Sequence, residues 1–136
     1  MIDSEKKFLG FFDSGVGGVQ TRLMFASMFP DYNYCCLSDT AYAPYGTQSP
    51  QVIRERTFLC LRWLFDHGAC LVIIACNTAA AYAIKDWQTL YPDKKVLSVT
   101  IPAIECMREH DDRLIAIFAT QMTVESGIYP HLFERF

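Results

Sequence analysis

A parallel, doubly wound α/β sheet is the fold class that this sequence predicts, and three observations carry the prediction. Short apolar runs at residues 8–12, 34–37, 71–75 and 96–99 alternate with longer segments of helical periodicity. The run 69–75 has no polar member, as expected of a strand buried on both faces. Glycine or proline punctuates the joins, at Gly15-Val16-Gly17-Gly18, Pro30, Gly68 and Pro92.

The elements follow in order. Residues 8–12 form a first strand that ends at Asp13-Ser14-Gly15, a glycine-rich turn. Residues 19–29 carry Leu23, Met24, Phe25 and Met28 at helical spacing until Pro30 stops them. Residues 34–37 are a second strand, and 39–50 form a loop of small and turn-forming residues. The helix 50–67 places Val52, Ile53, Phe58, Leu61, Leu64 and Phe65 on one face, and Gly68 follows as its cap. The buried strand then leads to a helix over 78–90, with Asn77 and Thr78 as N-cap residues and Pro92 beyond its end. A fourth strand spans 96–99. After Pro102 the pattern restarts with a short helix over 103–110, a buried strand over 114–119 and a helix over 123–136 that Gly127 and Pro130 disturb. Right-handed crossovers are expected throughout.

Composition narrows the function classes. The chain has 136 residues, 51% hydrophobic and 20% charged, which suits one globular domain rather than a disordered segment. A net charge of −3 without a Lys/Arg cluster argues against nucleic acid and anionic membranes as partners. The longest apolar stretch, 69–76, is far short of the ~20 residues of a membrane helix. The amino terminus lacks the apolar centre of a signal peptide, so a cytoplasmic location is expected. Cys35, Cys36, Cys60, Cys70 and Cys106 lie in apolar patterns and read as reduced, packed thiols. With no C-x-x-C pair, no zinc or dithiol site is expected.

Cys76 stands apart. It sits where a strand's carboxyl end meets a helix's amino end, the crevice where open α/β sheets bind ligands. Unpaired N–H groups and the positive end of the helix dipole stabilise a thiolate there. Parallel strands deliver their carboxyl ends to one rim. Asp13-Ser14-Gly15, the 39–47 loop and Cys76-Asn77-Thr78 therefore converge, a mixture suited to a small zwitterionic ligand. Plainer readings stand beside this one. Asp13 can be only a helix cap, and Asp39-Thr40 with Ala43-Pro44-Tyr45-Gly46 an ordinary turn. The glycines fail the dinucleotide fingerprint at Gln20. His67 reads as a helix-end residue, and neither His110 nor His131 has a claim to catalysis, although sequence order alone leaves a cysteine–histidine hydrolase open.

Taken together, Phe12-Asp13-Ser14-Gly15-Val16-Gly17-Gly18, Asp39-Thr40 with Ala43-Pro44-Tyr45-Gly46-Thr47, and Ile74-Ala75-Cys76-Asn77-Thr78-Ala79 resemble the loops of the glutamate racemases, cofactor-independent enzymes of the aspartate/glutamate racemase superfamily. A weaker match runs through Ala119-Thr120, Thr123-Val124, Ser126-Gly127 and Tyr129. The resemblance implies a two-lobe fold, with residues 1–100 as the first lobe carrying Asp13 and Cys76, and 101–136 as an incomplete start of the second. It implies that Cys76 is one of two catalytic thiols, with Asp13 tuning it and binding substrate alongside Ser14. Tyr45, Gly46, Asn77 and Thr78 would hold the amino acid, joined by Thr120 and Thr123. Tyr42 stands where an arginine is usual.

The family's second thiol lies in a Gly-Cys-Thr-His motif, and no Cys-Thr-His occurs here. Inverting a stereocentre needs an acid/base group on each face, so the chain resembles about the first half of a racemase. The implied function is interconversion of L- and D-glutamate for peptidoglycan, hence cell wall and cell shape, with glutamate as ligand and no cofactor or metal. Two alternatives stay open: an aspartate racemase-like member, or a non-catalytic truncated remnant that binds a ligand or partner. The apolar residues Phe118, Ile128, Leu132 and Phe133 would lack partners, which predicts homo-oligomers or disorder beyond about Pro102.

Overall fold

The computed structural model describes residues 7–108 and 114–135. Strands β1 (Phe8–Asp13), β2 (Tyr34–Ser38), β3 (Ala69–Ile74) and β4 (Val96–Ser98) form one parallel sheet in the order β2-β1-β3-β4. Helices α1 (Gly17–Met28), α2 (Pro50–Asp66) and α3 (Asn77–Leu90) connect them. Beyond β4 come α4 (Thr100–Arg108), α5 (Gln121–Glu125) and α6 (Ile128–Arg135). The expected α/β class and all four expected strands of the first unit are present. Among the described residues no helix is long and apolar enough to cross a membrane.

Consecutive strand residues point to opposite faces, and the two faces are covered differently. Phe12, Val72 and Ile74 join Ile53, Leu61, Leu64 and Trp87 of α2 and α3 in the main core. Trp87 is fully buried between Phe58, whose ring meets it edge-on at 5.2 Å, and Phe65, stacked at 5.8 Å. Its indole N–H donates to the Lys94 carbonyl at 3.1 Å, which satisfies the one polar atom it buries. Phe11 faces the other way and packs edge-on against Phe25 of α1 at 5.2 Å. Local signals set the ends of α2: the Ser49 hydroxyl accepts from the Val52 N–H, Pro50 follows as the first helical residue, and Gly68 leaves with φ 103°.

Several expectations fail. Residues 114–119 form no strand; Leu114 and Phe118 are almost fully exposed. A strand buried on both faces needs neighbours to bond its backbone and layers to cover it, and among the described residues no strand pairs with this segment. The helix expected over 123–136 is two helices, because Gly127 takes φ 63° and ends the first. Leu132, expected to lack partners, is buried, and Ile128 and Phe133 are half-buried. By contrast α1 is helical as its spacing predicts, with Gly18 its one buried residue and Leu23, Met24 and Met28 exposed. Cys70 and Cys106 are exposed rather than packed. The short helix after Pro102 starts earlier than expected, at Thr100, and its expected end at His110 lies outside the described residues, as does Phe136.

Candidate active site

Register places the site. Asp13 pairs with Ser38, Phe12 with Ile74, and Ile74 with Ser98, so three loops leave the sheet at one level. The ladder runs on into those loops: the Asp39 N–H donates to Asp13 O at 3.0 Å, and the Ala75 N–H donates to Phe12 O at 2.8 Å.

Asp13 ends β1 with both carboxylate oxygens engaged. Oδ1 accepts from the Ser14 N–H at 2.8 Å and Oδ2 from the Gly18 N–H at 2.7 Å. Asp13 thus binds an otherwise unpaired N–H at the start of α1 from the end of β1, while the N-cap position itself is Val16. The glycines beside it are dictated by proximity. A Cβ on Gly17 would lie 2.9 Å from Asp13 Oδ2, and one on Gly18 2.8 Å from Asp13 Cβ.

Cys76 itself, not Asn77 or Thr78, is the N-cap of α3. Its sulfur accepts from the Ala79 N–H at 3.4 Å and lies 3.3 Å from Ser14 Oγ. A backbone N–H and a hydroxyl thus both lie within hydrogen-bond reach of the Cys76 sulfur. At Cys60, outside the cavity, burial first and the Asp39 charge second push the thiol up to about 11.

The opposing wall comes from residues 114–135. Thr78, Thr120 and Thr123 form a triangle of hydroxyls, each pair 2.9 Å apart. Thr120 also caps α5, its Oγ1 accepting from the Thr123 N–H at 3.3 Å. The Tyr129 hydroxyl donates to Asn77 Oδ1 at 3.2 Å, and the Tyr82 hydroxyl to the Met122 carbonyl at 2.9 Å. Gly46 is pressed against this wall so closely that a Cβ there would lie 2.6 Å from Thr120 Cβ.

The result is a cavity of about 340 Å³ lined by the nine residues to which the resemblance gives a site role: Asp13, Ser14, Tyr45, Gly46, Cys76, Asn77, Thr78, Thr120 and Thr123. Tyr45 differs from expectation in its orientation. Its hydroxyl donates to Asp39 Oδ2 at 2.7 Å and its ring packs near Phe12, so its polar atom is committed away from a ligand. Burial, then the bond to Asp39, raises its phenol well above the ordinary value. His67 is structural, with Nδ1 2.8 Å from Trp63 O and its ring stacked on Trp63 at 4.0 Å; His131 lines a different cavity. Among the described residues no three His, Cys, Asp or Glu side chains gather as metal ligands.

Curated relatives and solved structures agree on one family. A glutamate racemase of Clostridium perfringens is 31% identical over 128 residues, covering 94% of this chain and 49% of the relative. The glutamate racemase structure from Aquifex pyrophilus superposes with a TM-score of 0.87 at 32% identity, covering 93% of this chain and 50% of that one. That of the Francisella tularensis enzyme in complex with D-glutamate gives 0.84 at 28% identity, covering 96% and 49%. No family model matches. The chain belongs to the glutamate racemase family. It spans about half the length of the curated relatives it matches, and corresponds to their amino-terminal half.

Within that racemase half, the sequence reading missed some of the lining. Tyr129, Pro44 and Ala119 fall inside the motifs that carried the resemblance, yet were given no role. Phe118 carried no signal, because it belonged to an expected buried strand. Arg56, which binds Asp39 through two nitrogens at 2.9 Å each, was hidden in the polar face of α2.

Proposed function

We propose that this chain provides one face of a glutamate racemase active site, with Cys76 as the acid/base group. The observation that carries the reading is the single cavity lined by Cys76, its partner Ser14 and all the expected ligand residues, with the Ala79 N–H donating to the Cys76 sulfur. As a thiolate, Cys76 takes the α-proton of glutamate; the electron pair left on Cα delocalises into the α-carboxylate, and the thiol returns a proton to Cα. Ser14 and the Ala79 N–H stabilise the thiolate, and Asp13 acts on it by fixing the Ser14 loop. Asn77 and the threonine triangle hold the carboxylates and ammonium group, whose hydrogen bonds replace those the hydroxyls make with one another. Tyr45 and Gly46 contribute through their backbone. Residues 1–100 act as the first lobe and 101–136 as the start of the second. The product class is D-glutamate for the cell wall, made in the cytoplasm without a cofactor.

Cys76 is the one cysteine among the described residues that line the cavity, and this favours a restricted activity for the chain on its own. A single thiol removes and returns the proton on the same face. Incubating each glutamate enantiomer with the 136-residue protein in deuterium oxide separates the two events. The expected outcome is α-deuterium uptake by mass spectrometry without inversion by circular dichroism, abolished in Cys76→Ala. Inversion by the pure chain would refute the one-thiol reading, and uptake that survives Cys76→Ala would refute the role of Cys76. Replacing glutamate by aspartate in the same assay tests the aspartate alternative. Absence of any uptake from either would favour a binding remnant.

A further inference from the structure

Arg56 is remote from the thiol in sequence and outside the cavity lining, yet it ties together the loop that forms one side of the cavity. Its Nε donates to Asp39 Oδ2 and its Nη2 to Asp39 Oδ1, both at 2.9 Å. Its guanidinium lies 3.9 Å from the centre of the Tyr42 ring. Asp39 Oδ2 also accepts from the Tyr45 hydroxyl at 2.7 Å. One planar cation thus binds the start of the loop, stacks on its middle and, through a shared carboxylate oxygen, fixes the 3-10 turn Tyr45–Thr47. That turn holds Gly46 against Thr120 with no room for a Cβ, so a small displacement of it alters the cavity.

We propose that Arg56 is a positioning residue for the ligand cavity, acting through Asp39 and Tyr45 to set the Tyr45–Thr47 turn against Thr120. The proposal rests on the reading of that cavity as a glutamate site only for its second measurement below. The choice of arginine is specific. A lysine ammonium supplies charge but neither the two-pronged bond to a carboxylate nor a flat face for Tyr42. The position of Tyr42 fits the same scheme: the arginine that the resemblance leads one to expect there would set a like charge against Arg56.

Two measurements on the full chain test it. Hydrogen exchange followed by mass spectrometry compares peptides covering 40–49 and 120–126 with peptides covering β1 and β3. In Arg56→Gln the first pair is expected to exchange about tenfold faster while the sheet stays unchanged, with Arg56→Lys failing to restore protection. Tyr45→Phe, which leaves the Arg56–Asp39 pair intact, should give the same pattern more weakly, and it decides the matter if Arg56→Gln does not fold. Unchanged exchange in 40–49, acceleration spread equally over β1 and β3, or full rescue by lysine would each overturn the proposal. The second measurement is the glutamate concentration that half-protects Cys76 from iodoacetamide. It should rise about tenfold in Arg56→Gln, while alkylation without glutamate stays within about twofold. An unshifted half-protecting concentration overturns the link to the ligand. If glutamate fails to protect the unsubstituted chain, the glutamate reading falls and the exchange pattern still decides the role of Arg56.

Discussion

The two walls of the cavity are built on different principles. On the Cys76 side, the sheet's own ladder sets the geometry: Asp39 N–H to Asp13 O, Ala75 N–H to Phe12 O, and Val99 N–H to Ile74 O continue the strand pairing into the loops. On the other side, residues 114–135 reach the rim through side chains, by the threonine triangle and the phenols of Tyr82 and Tyr129. Backbone register cannot shift by less than a residue, so the first wall is held by every pair in the sheet at once. The second is held by a few hydroxyl bonds, each worth about 0.5–1.5 kcal/mol net, and by the packing of Met122 and Leu132. The catalytic candidate therefore sits on the rigid wall, and the ligand's partners are shared with a wall able to detach locally.

The widest gap between the walls should appear on deleting aromatic rings. Trp87→Ala removes a fully buried ring from the core under the rigid wall and is expected to cost about 3–5 kcal/mol. Phe118→Ala removes a ring that is 96% exposed and should change stability by less than about 0.5 kcal/mol. Urea unfolding of the two variants measures both. Because Phe118 also lines the cavity, Phe118→Ala is the variant in which ligand binding should change without stability. A large loss of stability in Phe118→Ala would mean that the 114–135 segment is covered in solution, as self-association through its apolar side chains would require.

The difference between the walls also explains what was legible in the sequence. The strand–helix alternation to Ser98 could be read because each element carries its own period, stop signal and cap, as with Ser49-Pro50 and Gly68 around α2. Cys76, Asp13 and Ser14 could be placed because parallel strands must deliver their carboxyl ends to one rim. The 114–119 segment misled because an apolar run has the same pattern whether or not a neighbouring strand exists to receive it. On α1 periodicity fixes the helix but not which side another layer covers, and Leu23, Met24 and Met28 are exposed. Arg56 and the direction of the Tyr45 hydroxyl were illegible for a different reason. Both follow from contacts across the loop that no spacing encodes.

Pressing the walls together should expose their unequal strength. Gly46→Ala puts a methyl group 2.6 Å from Thr120 Cβ, and one side must move. The Tyr45–Thr47 turn is tied down through Asp39 and Arg56, so the 114–135 segment is expected to shift, at a cost of about 1–3 kcal/mol. Adding Thr120→Gly to Gly46→Ala removes the obstructing side chain along with its triangle bonds. Thermal unfolding of the single and double variants should show partial recovery. If Thr120→Gly worsens Gly46→Ala by its full single-variant cost, the two positions do not couple and the close approach is not the cause.

The smallest expected effect isolates one tether of the weaker wall. Tyr82 lies on α3 and its hydroxyl donates to the Met122 carbonyl of α5 at 2.9 Å. That carbonyl already accepts from the Ser126 N–H at 3.0 Å, so it keeps a partner when the phenol is lost. Tyr82→Phe therefore leaves no buried acceptor unpaired, and the loss should fall at the lower end of about 0.5–1.5 kcal/mol. Global unfolding will scarcely register it, because the sheet and its core are untouched. Local opening will: amides of 120–126 should exchange a few-fold faster, by about the factor that such a free energy implies. The Thr78 hydroxyl bridges the same two helices, so Thr78→Val combined with Tyr82→Phe should open the segment more than the two single changes predict separately. Strict additivity, or equal acceleration in β1, would show that 114–135 is held as firmly as the rim and remove the distinction between the walls.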